Sequence, residues 1–464
     1  MKNILKALAF ATLVAVTANA STDKTFLQVR PHGVNLAMES TTWRDLLITE
    51  KEDEFGAHFQ VTPFYMDSDE SSDLGRYFGI NNKNVFELST LAPTLDFNIK
   101  YINVAFTHQN TVTYSPEQTA WGVRIDYYQS LDKVLKGLFF KVCLPIVNVD
   151  NDMHLKVVST DATEQTNLIN YYKGDFSSTT TEALKYAKIN GGQSDTEVAD
   201  IDIVLGYKIV RKEKVKFGVN IGLTIPTGND ADGVWVFEPI SGNNEHWGLG
   251  AGLDLCAKVW EDGKQYFRID LVANYRYLFE SSEDRTLRVR DDLAANKLGG
   301  GSWRYSQYRL VGQGTAGQAP TAGTIKPLAN ISTLNVDVEP GSQLDAILGV
   351  AYANGGFSID LGYNLFWKER EDVDKKADLP VNYFLLNTTG DIITNAEALV
   401  TADLDFGSAE TPSYLTHKIY GGLGYIFKEW DTPLMLGIGA QYEFASDNEE
   451  IEGWGIWGKL GIKF

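Results

Sequence analysis

Two cysteines in 464 residues are too few for a disulfide framework, so this chain is not held together by cross-links. Basic residues are also short, 41 against 61 acidic ones, and the formal charge of −20 excludes a surface built to hold nucleic-acid phosphate. Six histidines, at 32, 58, 108, 154, 246 and 417, are scattered without ligand spacing, so no metal and no cofactor is expected. Nowhere does an apolar run reach the ~20 residues that a membrane-crossing helix needs. A mean hydropathy of −0.19 reads as soluble. That average is blind, however, to a wall in which only alternate residues meet lipid.

What is present begins at the N-terminus. Lys2 and Lys6 precede an apolar run from Ala7 to Val16, and Ala18-Asn19-Ala20 follows as a small-x-small cleavage site. Residues 1–20 therefore read as a secretory signal peptide removed near Ala20. No cysteine follows that site, which excludes a lipoprotein there. Removing the segment, with its two lysines and no acid, leaves 444 residues and takes the formal charge from −20 to −22. A secreted chain without a spanning helix enters a membrane only as a closed barrel, the other way to satisfy every backbone group in lipid.

Alternation of period two supports that route. Ile201, Ile203, Leu205, Tyr207 and Ile209 share one face, with Asp200, Asp202, Gly206 and Lys208 opposite. After Arg211-Lys212-Glu213 the same pattern returns in Val215, Phe217, Val219, Ile221, Leu223 and Ile225, which makes a hairpin. It recurs over 246–279 around Glu261-Asp262-Gly263, over 343–368 around Asn354-Gly355-Gly356, and over 416–445. Upstream, strands are expected near 54–66, 79–90, 96–108, 119–131 and 135–148. The fold class is thus all-β, an antiparallel up-and-down transmembrane barrel of about fourteen strands, with twelve to sixteen admitted. Tight turns would lie on the periplasmic side with both termini, and the long links 149–199, 227–245, 280–342 and 369–415 outside. The barrel is assigned to 54–464. Residues 21–53 precede it, as a lumen plug with a short helix over 41–48 or as an extra strand pair that uses 26–34.

The last residues add a second line. Counting back in twos from Phe464 gives Ile462, Leu460, Gly458, Ile456 and Trp454, with Lys463, Gly461, Lys459, Trp457 and Gly455 between them. A strand with a lipid face and a wet face that stops on an aromatic resembles the closing strand of bacterial outer-membrane β-barrels. In that family the terminal motif, here Trp454, Ile456, Leu460, Ile462 and Phe464, is what the barrel-assembly machinery reads. Separately, Thr224-Ile225-Pro226-Thr227-Gly228-Asn229-Asp230 resembles the Leu-Pro-Thr-Gly-Asp strand ending of the outer-membrane family linked to phenol-degradation pathways. Those proteins are similar to the long-chain fatty-acid channel, with a fourteen-stranded barrel and an N-terminal plug. The Asn-Pro-Ala gating element of that channel has no counterpart near this N-terminus, so it is not carried over. Proline and Thr-Gly also end strands in any barrel.

The inward faces carry both signs of charge. Arg124, Asp126, Lys214, Lys216, Asp254, Lys258, Arg268, Asp270 and Arg276 are the candidate pore-lining residues. Such an interior is a water-filled channel or a sealed one with charges paired across strands. Cys143 and Cys256 fall about three strands apart, ~14 Å at ~4.8 Å per strand, beyond disulfide reach. Acids cluster at 67–73, at Asp150 and Asp152, and at 449–452, as a solvated rim or as oxygen ligands for divalent cations. No catalytic residue is assigned, because the His-x-Ser pairing of barrel phospholipases is missing: Gln109-Asn110 follows His108 and Trp247-Gly248 follows His246.

The expectation is a porin-like channel in the outer membrane of a Gram-negative-type bacterium, passing small solutes by diffusion. A plugged channel for hydrophobic molecules and a non-conducting surface barrel remain open beside it. Lipid, the assembly machinery and small solutes are the expected partners. The sequence leaves the oligomeric state open.

Overall fold

The structure, a computed structural model, describes residues 22–44, 56–90, 96–103, 105–178, 180–293, 304–394, 396–446 and 450–464. The expected signal peptide, and residues 45–48 of the expected helix, lie outside them. Twelve strands form the wall: β1 (Ala57–Ser68), β2 (Glu117–Ser130), β3 (Leu138–Asp152), β4 (Ile201–Lys212), β5 (Val215–Ile225) and β6 (Gly248–Asp262). β7 (Gln265–Leu278), β8 (Gly341–Asn354), β9 (Phe357–Lys368), β10 (Tyr414–Phe427), β11 (Leu434–Ala445) and β12 (Gly453–Lys463) complete it. Each pairs antiparallel with the next, and β12 pairs with β1, so the sheet closes. Backbone bonds between Ala57 and Phe464, at 2.8 and 2.9 Å, finish the seam.

Alternation decides which way each side chain faces. Leu361, Ile419, Ile438 and Ile456 point outward and are half or more exposed, while Trp457 and Lys459 point inward and are buried. An apolar face that nothing among the described residues covers is what a wall presents to lipid. Aromatic residues flank it at both heights: Tyr65 and Trp454 touch at 5.7 Å near one rim, and Phe267 and Tyr352 at 5.1 Å near the other.

The count is twelve where about fourteen strands are expected. The segments 79–90 and 96–108 are not staves. They belong to the link 69–116, which holds α1 (Ser72–Phe78) and a short strand Val85–Ser89 paired with 97–98 and 110–113. The physical reason is burial on all sides: Leu74, Tyr77, Phe78, Phe86, Leu88, Phe97, Ile99 and Ile102 share one core, whereas a stave exposes every second residue. That core caps one end of the barrel, together with the described parts of the links 153–200, 226–247, 279–340 and 369–413. An outside strand, Gln193–Val198, pairs with the upper part of β3. Among the described residues the opposite end carries short connections, such as Gly355–Gly356.

Residues 22–44 run the length of the lumen. At the cap, Asp23 N–H donates to Gly79 O, and Tyr77 Oη donates to Phe26 O. At the turn end, Trp43 packs with Tyr128, Ile426 and Met435. No strand forms over 26–34, so the alternative of an extra strand pair does not hold there. Thr22 and Phe464 consequently sit at opposite ends of the barrel, not on the same side as expected. A helix Leu36–Ser40 precedes the expected 41–48, with Asn35 as its N-cap, accepting from Met38 N–H at 3.0 Å, and within the expected span Trp43 and Arg44 are helical again.

Glycines on the wall make room for this arm. A Cβ at Gly422 would lie 2.1 Å from Thr41 Cγ2, and one at Gly424 2.0 Å from Thr42 Cγ2. Gly424→Val should therefore displace the arm while the wall remains folded. Faster protease cleavage within 22–44, with unchanged β-sheet circular dichroism, is the expected result.

Candidate functional site in the lumen

Three arginines organise the space inside. Arg124 on β2 bonds Asp126 at 2.8 Å, reaches Glu39 of the arm at 2.6 Å and donates to Gly33 O at 2.9 Å. Lys141 on β3 pairs with the same Glu39, and Lys459 on β12 donates to Glu39 O at 2.8 Å and Thr41 O at 2.6 Å. Across the lumen the signs reverse. Arg30 of the arm meets Asp345 at 3.0 Å and Glu443 at 2.9 Å, and Arg44 meets Asp270 at 3.2 Å and also pairs with Asp254. Removing one partner of a buried pair costs about 3–5 kcal/mol, so the contacts of Arg30 with Asp345, of Glu39 with Arg124 and of Arg44 with Asp270 anchor the arm, while the half-exposed Asp254 adds less.

This arrangement redistributes the candidate pore residues. Arg268 is wholly buried between Asp270 at 2.6 Å and Asp360 at 2.8 Å, so it braces the arm's anchor and does not face open water. Arg124 and Asp126 form the clamp just described. Arg276 bonds Asp202 at 2.7 Å and lines a cavity toward the cap. Lys216 and Asp254 line a second cavity toward the turns. Lys258 lies at the turn end, 3.5 Å from Glu261 and over the Tyr266 ring. Lys214 is a correction. It sits in the tight turn, two-thirds exposed and 3.9 Å from Glu261, because β5 begins at Val215, after the last paired residue of the turn. The arm's own Arg30, Glu39 and Arg44 escaped the sequence reading. Asp254, Asp270, Asp345 and Asp360 on β6–β9 are matched in number by Lys258, Arg268, Arg276 and Lys368, so charge balance along those strands gave no sign of the arm's cations.

The two cavities lie along one side of the arm, mainly against β3–β7. They share Glu39, Lys141, Val204, Asn220 and Asn274, so they abut with the Glu39–Lys141 pair at their junction. The lower one mixes Trp43, Tyr128 and Phe139 with Lys141, Lys208 and Lys216. Cys143 and Cys256 face inward as free thiols. On the outside of β12, Trp454, Ile456 and Leu460 meet the lipid face, and Ile462 follows them toward Phe464 at the seam.

The upper end of the arm carries a titratable contact. Glu450, in the link between β11 and β12, accepts from Arg30 N–H at 3.0 Å and Ile451 N–H at 2.8 Å. Burial pushes its carboxyl up from 4.5 to about 7. A raised carboxyl favours the folded state while protonated. Its contribution is complete below pH 4.5 and is lost as pH rises through about 7. Glu450→Gln should flatten the decline of unfolding free energy across that window, by about 3 kcal/mol, in urea titrations at matched pH.

No family model matches the chain, and no curated protein does. Solved structures similar to it include the COG4313 outer membrane channel from Pseudomonas putida F1, at 11% identity and TM-score 0.40, covering 89% of this chain and 96% of that one. The Pseudomonas putida toluene transporter TodX matches at 9% identity and TM-score 0.34, covering 96% of this chain and 95% of that one. A Pseudomonas aeruginosa FadL homologue matches at 8% identity and TM-score 0.29, covering 96% and 98%. The assignment rests on the strand order and the two faces of this wall and not on those overlaps. A closed antiparallel sheet with an apolar outside and a charged inside has the fold of a membrane-spanning β-barrel.

Proposed function

We propose that this chain is a plugged outer-membrane channel for small amphipathic solutes, with its short turns toward the periplasm and its cap outside. The observation that carries the reading is the arm: a charged segment fills one side of the lumen and leaves two abutting cavities along the other. An open general porin fits less well, since an arm and a cap stand in the way of free diffusion. Solutes would pass from the upper to the lower cavity past Glu39 and Lys141, whose ion pair closes the junction. Aromatic walls beside lysines suit a solute with an apolar body and a polar or anionic head. Outward residues from Trp454 to Phe464 serve as the assembly signal in this reading, and no catalytic group is assigned.

Planar-bilayer recording tests the proposal. Full-length protein should be silent or flicker, and deletion of 21–53, or Glu39→Gln, should raise conductance. Silence in a folded, arm-free barrel would instead favour a surface-exposed structural protein, for which the buried core of the cap is the supporting feature. Charge reversal separates lining from bracing residues. Arg276→Glu with Lys216→Glu should shift reversal potentials toward cations in the arm-free barrel. Arg268→Glu should lower stability, because it breaks contacts to Asp270 and Asp360.

A further inference from the structure

Outside the lumen, the cap brings together three side chains that lie far apart in sequence. Glu70 follows the end of β1, Glu117 opens β2, and His154 follows the end of β3. One ligand atom from each lies within 4.8 Å of the others. His154 Nε2 and Glu117 Oε2 already touch at 2.6 Å. The backbone fixes how they converge: Glu117 is registered opposite Asp152 across β2–β3, and Asp152 Oδ1 accepts from His154 N–H at 2.7 Å, holding the imidazole's start point. Neither glutamate carries a lysine or arginine partner among the described residues.

We propose that Glu70, Glu117 and His154 form a divalent transition-metal site of the zinc class on the rim of the cap. The donor set argues for the class. One imidazole with two carboxylates suits Zn²⁺, Co²⁺ or Ni²⁺, whereas Ca²⁺ and Mg²⁺ take oxygen ligands alone. Size agrees as well. Two ligand atoms on one tetrahedral zinc lie about 3.3 Å apart, given bonds of about 2.0–2.1 Å. Glu117 and His154 must then part by about 0.7 Å from their 2.6 Å contact, and Glu70 must close from within 4.8 Å. These are side-chain adjustments at a half-exposed place and need no movement of the wall. Asp67, Asp69, Asp150 and Asp152 stand close by in sequence and strengthen the local negative field that draws a cation, whereas Asp73 is paired with Arg76. Three protein ligands leave a fourth position for water, so the metal would tie the upper ends of β1, β2 and β3 together on an accessible surface.

The test uses full-length refolded protein, stripped with a chelator and titrated with Co²⁺ while its visible d–d absorption is read, then with Zn²⁺ in competition. A saturable, tetrahedral-type Co²⁺ spectrum at one equivalent, displaced by Zn²⁺ and not by excess Ca²⁺, is expected. Loss of even an outer-sphere partner lowers metal affinity by about 10–100-fold, so His154→Ala, Glu117→Gln and Glu70→Gln should each weaken binding at least that much. Asp69→Asn with Asp73→Asn should leave affinity within a few-fold. Unchanged circular dichroism shows that each variant is folded. Binding that ignores His154→Ala but falls in the aspartate control would overturn the site and reduce it to diffuse attraction by acids. Absence of a Co²⁺ spectrum in the parent would overturn it outright.

Discussion

An open sheet edge in hydrocarbon leaves a row of N–H and C=O groups with no water to bind, and each costs several kcal/mol. The meeting of β12 with β1 removes that edge, and the remaining architecture follows from it. Once the wall is closed, side chains alternate between lipid and lumen with no third choice, so every charge the chain places on a stave must be accommodated inside. Closure also fixes an interior wider than the side chains of twelve strands fill. The chain fills part of that space with its own N-terminal arm.

The arm and the wall are matched by sign. On β2, β3 and β12 the wall offers Arg124, Lys141 and Lys459, and the arm presents Glu39 with two backbone carbonyls from the end of its helix. On β6–β11 the wall offers Asp254, Asp270, Asp345 and Glu443, and the arm presents Arg30 and Arg44. Turning the arm about its axis would set like charges against each other in a region of low dielectric, which is costly. Electrostatics therefore orients the arm more than apolar packing does. The glycines at 422 and 424 add a steric seat for Thr41 and Thr42 on the same wall.

Much of this wall was legible in the sequence. The hairpins centred on 213, 263 and 355 show clean alternation and tight polar turns, and their staves stand where the pattern placed them. The segment 79–108 misled because short runs such as Val85–Ser89 alternate over only a few residues. A capping subdomain with its own core produces the same local signal as a stave. Of the charged residues assigned to the interior, Lys214 stands in a turn instead, and the roles of the others were not legible. Whether Arg268 meets water or Asp360 depends on two strands distant in sequence and on an arm residue, Arg44, that sits on neither. Glu70, Glu117 and His154 were invisible as a set for the same reason, since strand order and not spacing joins them.

The direction of the arm carries the last consequence. Residue 22 is packed in the cap while β1 starts at the turn end, so the chain descends through the lumen and then climbs the wall beside it. A segment bonded at Asp23 above, at Glu39 midway and at Arg44 below is not readily added to a finished barrel, because it would have to pass lengthwise through a lined and capped bore. Closing the β1–β12 seam around an arm already in place needs no such passage. In that order of events the ion pairs on facing walls act as a gauge: a wider ring would pull Arg30 and Arg44 off their acids or Glu39 off its cations. The twelve-strand ring and the arm it encloses are then mutually specified.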